Sequence, residues 1–477
     1  MKAILEYEKI NVKLDDTNEE AKIDLPNSAS RHRYISAEEH ISHFMKYKQQ
    51  TKKAKKIIDY EKGNAVNGLQ FPIFELPTNL LYEIISRLPL NTIFSCRCVC
   101  TTFLKLIEDP YFAKTHLNGA LSTSTTIIVN EIHPSSPLFR PYMLELDFTP
   151  KKSSLSSDHH SYHQHVISRQ SGEVALRDVK CCFVTGDATL ISSCHGLVCL
   201  YSPSLKNPTY CICNPVSGEC MTLAHPAPFT SDSIYLNHSG FGFCPKTKQY
   251  KVIRFMSSES TSRAVALVHT LGTRSWRNIG EAPRPRSQGS FDCFLDGKLH
   301  LITASHRISE IVYSFDLETE KFETVPMPAH FSPEYHSKVS WINVGVIGGC
   351  LCLCYTFKDA YFEVFAMEEY GNRESWIKKF SIDVKFYCAL RVEDLQEPIK
   401  FLNNGELLFL LSRFNSLVSY NPQKRTFRDI KSLGNGRAEV IAHVSSFVSL
   451  KSHIFKGGGI KYEKIKLKSP MLLQNVS

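Results

Sequence analysis

A spaced repeat between residues 125 and 450 constrains this chain more than any other feature. A tight turn followed by a core-sized side chain recurs five times. The copies are Asn214-Pro215 with Gly218 before Cys220, Leu271-Gly272-Thr273 before Trp276, Asp316-Leu317-Glu318 before Phe322, Tyr370-Gly371 before Trp376, and Asn421-Pro422 before Phe427. Successive core residues stand 56, 46, 54 and 51 positions apart. Between them lie short apolar or alternating runs bounded by Gly, Pro and Asn, among them 196–201, 250–255, 298–302 and 406–411, and no helix-length pattern intervenes. Such runs read as strands, which makes the region all-β. A period of about 52 residues suits a four-stranded propeller blade. Runs over Thr126–Val129 and Met143–Phe148 and a terminal run over Ala438–Leu450 lack the full blade pattern. Pairing them in one composite blade removes two exposed edges, so six blades are expected.

Composition sets outer bounds. With 43% apolar and 22% charged residues the chain can bury a sizeable core. No stretch approaches the ~18 uncharged apolar residues of a membrane span. Residues 1–13 alternate charge with aliphatics instead of forming a signal core, so an intracellular protein is expected, in the cytoplasm, the nucleus or both. The formal charge of +9 divides unevenly: 13 Lys and Arg against 11 Asp and Glu in 1–70, 6 against 1 in 451–477, and 37 against 35 between. A nearly neutral body argues against nucleic acid, because each phosphate neutralised requires its own cation. Residues 1–70 read as a mostly disordered charged leader with one short helix near 37–58, and 451–477 as a basic disordered tail. The run Lys52-Lys53-Ala54-Lys55-Lys56 reads as a solvated helix face rather than an import signal.

The sixteen cysteines include no C-x-x-C pair, and Cys96/Cys98/Cys100, Cys211/Cys213 and Cys350/Cys352/Cys354 alternate with other residues. Zinc sites want a chelating turn between paired thiolates, so reduced cysteines serving as small apolar core residues are expected, with no metal and no cofactor.

Helical spacing appears only near the front of the body. The stretch 74–89 reads as a helix opening after Pro77, with Thr78 or Asn79 as cap, and closing at Pro89. At 100° per residue Leu80, Ile84, Leu88, Leu81 and Ile85 spread over about 140°, a stripe wider than one small neighbour covers. A second run, capped by Asn91, carries Ile93, Phe94, Val99, Cys100, Phe103, Leu106 and Ile107 up to Asp109-Pro110. Short helices in so few residues bury too little surface to stand alone, and something else must cover them.

In order and spacing, Leu76-Pro77, Leu80-Leu81, Glu83-Ile84, Arg87-Leu88-Pro89, Arg97-Cys98-Val99-Cys100, Leu106-Ile107 and Asp109-Pro110 with Phe112, His116 and Leu117 resemble a plant-type F-box. Ser95 and Cys96 replace its usual basic-aromatic pair, and Phe103 stands where tryptophan is usual. The resemblance implies docking onto a Skp-family adaptor, and through it a cullin and a RING subunit. Leu76, Pro77, Leu80, Leu81, Ile84, Leu88, Pro89, Val99 and Phe103 would form the docking surface. Downstream, residues 191–199, Asn214-Pro215, 240–243 through 250–252, 271–276 and 367–376 resemble the F-box-associated domain, a kelch-like interaction module. Cys244 and Gln249 replace aspartates usual there and read as turn-shaping residues.

The expected organisation is α+β and multidomain: leader 1–70, a short all-α F-box over 71–118, a β-propeller over 125–450, and tail 451–477. The resemblance implies the substrate-recognition subunit of an SCF-type ubiquitin ligase, holding an unidentified target protein for ubiquitination and degradation without bond chemistry of its own. Alternatives are a non-degradative scaffold and a propeller-based enzyme. No G-x-S-x-G, Walker, H-E-x-x-H or helix-opening G-x-G-x-x-G motif supports the latter. Gly240-Phe241-Gly242 reads as close strand packing, the histidines at 159, 160, 163 and 165 as a polar loop, and Trp276 and Trp376 as core. Loops 149–173, 224–239, 256–263, 283–289 and 328–338, the longest irregular stretches, are the expected sources of target selectivity.

Overall fold

Pro77 and Pro89 each open a helix. In the computed structural model both take extended conformations, φ −52° and −55° with ψ 138° and 145°. Their carbonyls accept the first helical N–H groups, from Leu80 and Thr92, each at 2.9 Å. Neither α1 (Thr78–Ser86) nor α2 (Leu90–Val99) has a side-chain cap, so the expected caps at Thr78, Asn79 and Asn91 give way to proline in the capping position. Cys100, at φ −155° and ψ 166°, divides the second helical run into α2 and α3 (Thr101–Glu108). Asp109-Pro110 then starts a further helix, α4 (Pro110–Thr123), with Asp109 Oδ1 accepting from Tyr111 N at 2.7 Å and Pro110 in the first turn. The helical module therefore runs past the boundary expected at 118. The structure describes residues 76–464 except 124–125, 133–140, 147–166, 170–173, 179–187, 204–207, 225, 227–232, 259–263, 287–292, 306, 387–390, 396–397, 403–404, 435 and 454–460. The leader, its expected helix and the histidine-rich stretch lie outside the described residues.

The strands follow in six sheets. After α4 come β1 (Thr126–Ile132), β2 (Tyr142–Leu146), β3 (Ile167–Arg169) and β4 (Val174–Asp178). Blade 1 is β5 (Thr189–Cys194), β6 (Leu197–Ser202), β7 (Thr209–Asn214) and β8 (Glu219–Ala224). Blade 2 is β9 (Ser233–Cys244), β10 (Gln249–Ser258), β11 (Ala264–Thr270) and β12 (Arg277–Ala282). Blade 3 is β13 (Cys293–Leu295), β14 (Lys298–Ile302), β15 (Val312–Asp316) and β16 (Phe322–Thr324). Blade 4 is β17 (Val339–Ile347), β18 (Cys350–Phe357), β19 (Tyr361–Met367) and β20 (Trp376–Asp383). Blade 5 is β21 (Pro398–Phe401), β22 (Leu407–Leu411), β23 (Ser416–Asn421) and β24 (Thr426–Ser432). Blade 6 is the expected composite: β25 (Arg437–His443) lies beside β1, with β2 and β4 outside it. β25 and β1 pair antiparallel from Thr126↔His443 to Ile132↔Arg437, and β25 neighbours both β5 and β21, which closes a six-bladed propeller. Half-buried Glu439 reinforces the closure, accepting from Leu190 N at 3.0 Å and Asn130 Nδ2 at 3.2 Å.

The sequence repeat has a common cause in three blades. Asn214, Asp316 and Asn421 end the third strand, and each side-chain oxygen accepts backbone N–H groups two and three residues on. Such Asx turns bring the fourth strand back with fixed geometry. The residues after the turn pack inward: Trp276 meets Tyr210 of blade 1 at 5.3 Å, and Trp376 donates to Pro326 O at 2.8 Å. Gly240-Phe241-Gly242 lies within β9, and a Cβ on Gly242 would stand 2.7 Å from Leu317 Cδ1. Cys244 and Gln249 pair across the turn joining β9 to β10.

Two expectations are corrected here. The tail contributes structure: β26 (Lys461–Lys464) pairs antiparallel with β8 on the outer edge of blade 1, as β3 pairs in parallel with β24 on blade 5. Main-chain pairing on a sheet edge needs no apolar pattern, so a lysine-rich segment can supply it. Cys220 is disulfide-bonded, whereas the twelve other described cysteines form no disulfide.

Candidate functional site: an apolar ridge on the helical module

The four helices divide their apolar side chains among three directions. Leu81 (4% exposed), Tyr82, Ile85 (1%), Leu106, Ile107 and Phe112 are buried, with Tyr82 Oη donating to Asp109 Oδ2 at 2.9 Å. Leu90 and Phe94 turn to the propeller and join a cluster with Ile128, Met143, Val198 and Cys213. The remainder stay open. Leu76, Leu80 and Ile84, spaced by four along α1 and its entry, are 38%, 46% and 43% exposed, Val99 is 67% exposed and Tyr111 55%. Ion pairs flank the ridge, Arg87 with Glu83 at 3.1 Å and Arg97 with Glu108 at 3.4 Å.

Of the residues expected to dock a partner, Leu76, Pro77, Leu80, Ile84, Pro89 and Val99 are exposed, and Leu88 and Phe103 are half-buried. Leu81 is a correction. Its side chain is sealed inside the module, because the wide stripe on α1 has two margins and only that of Leu80 and Ile84 faces outward. Tyr111, in the first turn after Asp109-Pro110, is an exposed aromatic that the apolar spacing did not single out. Covering four half-open aliphatics would contribute roughly 1 kcal/mol each, half the value of burying a fully exposed side chain.

Ser193 Oγ lies 2.8 Å from His443 Nδ1, but burial pushes His443 down to about 3, which leaves it a poor base near neutrality. Burial also pushes the thiols of Cys194, Cys199, Cys352 and Cys354 upward, away from the reactive thiolate. Among the described residues no three His, Cys, Asp or Glu side chains are grouped to hold a metal ion.

Strand direction sorts the connections between two faces. Turns joining first to second and third to fourth strands, such as 195–196 and 215–218, share the face on which α4 enters β1. Second-to-third and blade-to-blade connections occupy the opposite face. Of the stretches expected to confer selectivity, the described ends of 224–239, 256–263 and 283–289 and the whole of 328–338 lie toward that opposite face, whereas 149–173 lies outside the described residues except for β3. Parts of two are regular: 233–239 belongs to β9 and 256–258 to β10. The last includes a helical turn, Pro333–His336, capped by Ser332.

A helical module with an open apolar ridge is thus seated on a six-bladed β-propeller. Comparison with known proteins gives its family: residues 73–115 match the F-box domain and 145–454 the F-box associated beta propeller domain, so the chain belongs to the F-box proteins that carry this propeller. Its relatives in Arabidopsis thaliana include F-box protein At3g07870, 26% identical over 79% of this chain and 92% of that one. They include also F-box/kelch-repeat protein At3g23880, 24% identical over 74% and 89%, and F-box protein CPR1, 23% identical over 70% and 81%. Among solved structures, a PQQ-bound aldose sugar dehydrogenase from Streptomyces coelicolor, 13% identical over 61% of this chain and 97% of that one, reaches a TM-score of 0.33, too low to bear on function.

Proposed function

We propose that this F-box protein is the substrate-recognition subunit of an SCF-type ubiquitin ligase. The ridge of Leu76, Leu80, Ile84 and Val99 would bind a Skp-family adaptor, which links it to a cullin and a RING subunit, while the propeller holds a target protein. One observation carries this reading: these aliphatics stay exposed although the rest of the chain covers the other sides of the helices. The subunit performs no bond chemistry. Its contribution is proximity, replacing a bimolecular encounter between target lysine and charged conjugating enzyme by one at high effective concentration. It would act wherever its adaptor resides, in cytoplasm or nucleus.

The test uses Leu80→Glu with Ile84→Glu in the full chain. Each side chain points outward, so the propeller's unfolding midpoint should be unchanged while co-purification with the adaptor is lost. Retained adaptor binding would defeat the reading. Target accumulation on proteasome blockade would then separate degradation from scaffolding.

A further inference from the structure

A strap links the propeller to the helices. After β25 the chain leaves the axis of the ring and crosses the helical face of blade 1. Ser446 Oγ donates to His195 O at 2.9 Å, and Asn214 Nδ2 donates to Ser446 O at 3.0 Å and Val448 O at 2.7 Å. Glu219 accepts from Ser449 Oγ at 3.0 Å and Leu450 N at 2.7 Å. Leu450, wholly buried, anchors the far end in the cluster between blades 1 and 2. Gly196 makes room beneath: a Cβ there would fall 1.9 Å from Ser446 Oγ.

Phe447 sits between these clamps and faces the other way. Its ring centroid lies 5.9 Å from Phe94 of α2, 5.3 Å from Phe112 and 5.0 Å from His116 of α4, the last edge-on at 87°. The imidazole is 5% exposed, its Nδ1 has no hydrogen-bond partner, and burial pushes it down to about 4, so it packs as a neutral ring. One side chain from the strap thus touches two of the four helices, from a backbone pinned on both sides. Aromatic pairs contribute direction as well as area, because edge and face contacts are favoured over parallel overlap.

We propose that Phe447 is a positioning residue that sets the angle of the F-box against the propeller. It would hold the apolar ridge in one orientation relative to the opposite face, where the second-to-third and blade-to-blade connections converge. The consequence for ubiquitin transfer rests on the ligase reading: a fixed angle restricts which lysines come within reach of the conjugating enzyme. The geometry itself does not rest on it.

The experiment places a donor and an acceptor fluorophore on the full-length protein through unnatural amino acids at Lys114 in α4 and Lys321 between β15 and β16, both exposed. Single-molecule energy transfer should give one narrow population. Phe447→Ala should lose it for a broad or shifted one with the propeller's unfolding midpoint retained, and Phe447→Tyr should restore it. If the alanine variant fails to fold, Phe447→Leu, which keeps bulk without the ring, carries the same comparison. An undisturbed narrow population in the variant would overturn the proposal, whether or not the adaptor binds. In a reconstituted ligase Phe447→Ala should leave adaptor affinity unchanged and spread ubiquitin over additional lysines of the chain; an unaltered lysine pattern would also overturn it.

Discussion

Leu80 and Leu81 are neighbours with opposite duties. One stands on the open ridge and the other is 4% exposed, as is appropriate to a residue that joins helices. Their substitutions should separate by readout. Leu81→Ala, at the buried position, should lower stability by about 2–4 kcal/mol in chemical denaturation through lost burial and an unfilled cavity, whereas Leu80→Ala should leave stability nearly unchanged and weaken adaptor binding. Gly196 offers a second contrast. It combines φ +86° with the close approach of Ser446, so Gly196→Ala should displace the strap and lower the unfolding midpoint. Periodicity located the apolar stripe on α1 but not which margin is open. That depends on where α4 lies, and no local spacing encodes it. Phe447 was invisible for a related reason: within a run that reads as one more strand, a single aromatic acquires its helical partners only when residues far apart in sequence meet.

Among elements, the closing strand differs in weight from the added ones. Seven register pairs join β25 to β1, and β25 also contacts the blades on either side, while β26 pairs with β8 over four positions at an outer edge. Truncation before Lys461 should therefore preserve a cooperative unfolding transition at a nearly unchanged midpoint. Truncation before Arg437 should abolish that cooperativity and promote aggregation, both measurable by calorimetry and light scattering. Two further outer edges are protected differently: β12 and β20 each carry a register shift, and β20 presents Lys378 and Lys379. The composite blade was legible in the sequence because two incomplete blade patterns imply two edges that must pair. The additions β3 and β26 were not, since strands of three and four residues leave no alternation to read.

Across the whole molecule, buried neutral histidines make the fold sensitive to acid. Burial lowers His116, His269 and His300 to about 4 and His443 to about 3, against 6.5 for the free side chain. Above about pH 6.5 neither folded nor unfolded chain binds these protons, so the sites leave stability untouched. Below it the unfolded chain takes up protons that the folded chain refuses, and stability falls until the pH reaches the folded values. At pH 5 each site should cost on the order of 1–2 kcal/mol. The thermal midpoint should accordingly drop between pH 7 and pH 5, and His269→Gln should reduce the slope. A midpoint indifferent to pH over that interval would contradict the buried neutral state.

The composite blade also orders events during synthesis. Asn130 and Glu439 touch across 309 positions of sequence, and the strap that seats the helices follows immediately after the second of them. The helices leave the ribosome before the propeller yet find their seat only once Phe447 has been made. A product terminated before the strap would therefore carry the open apolar ridge without the wedge that aims it, and on the ligase reading would tend to capture adaptor unproductively unless it were first destroyed.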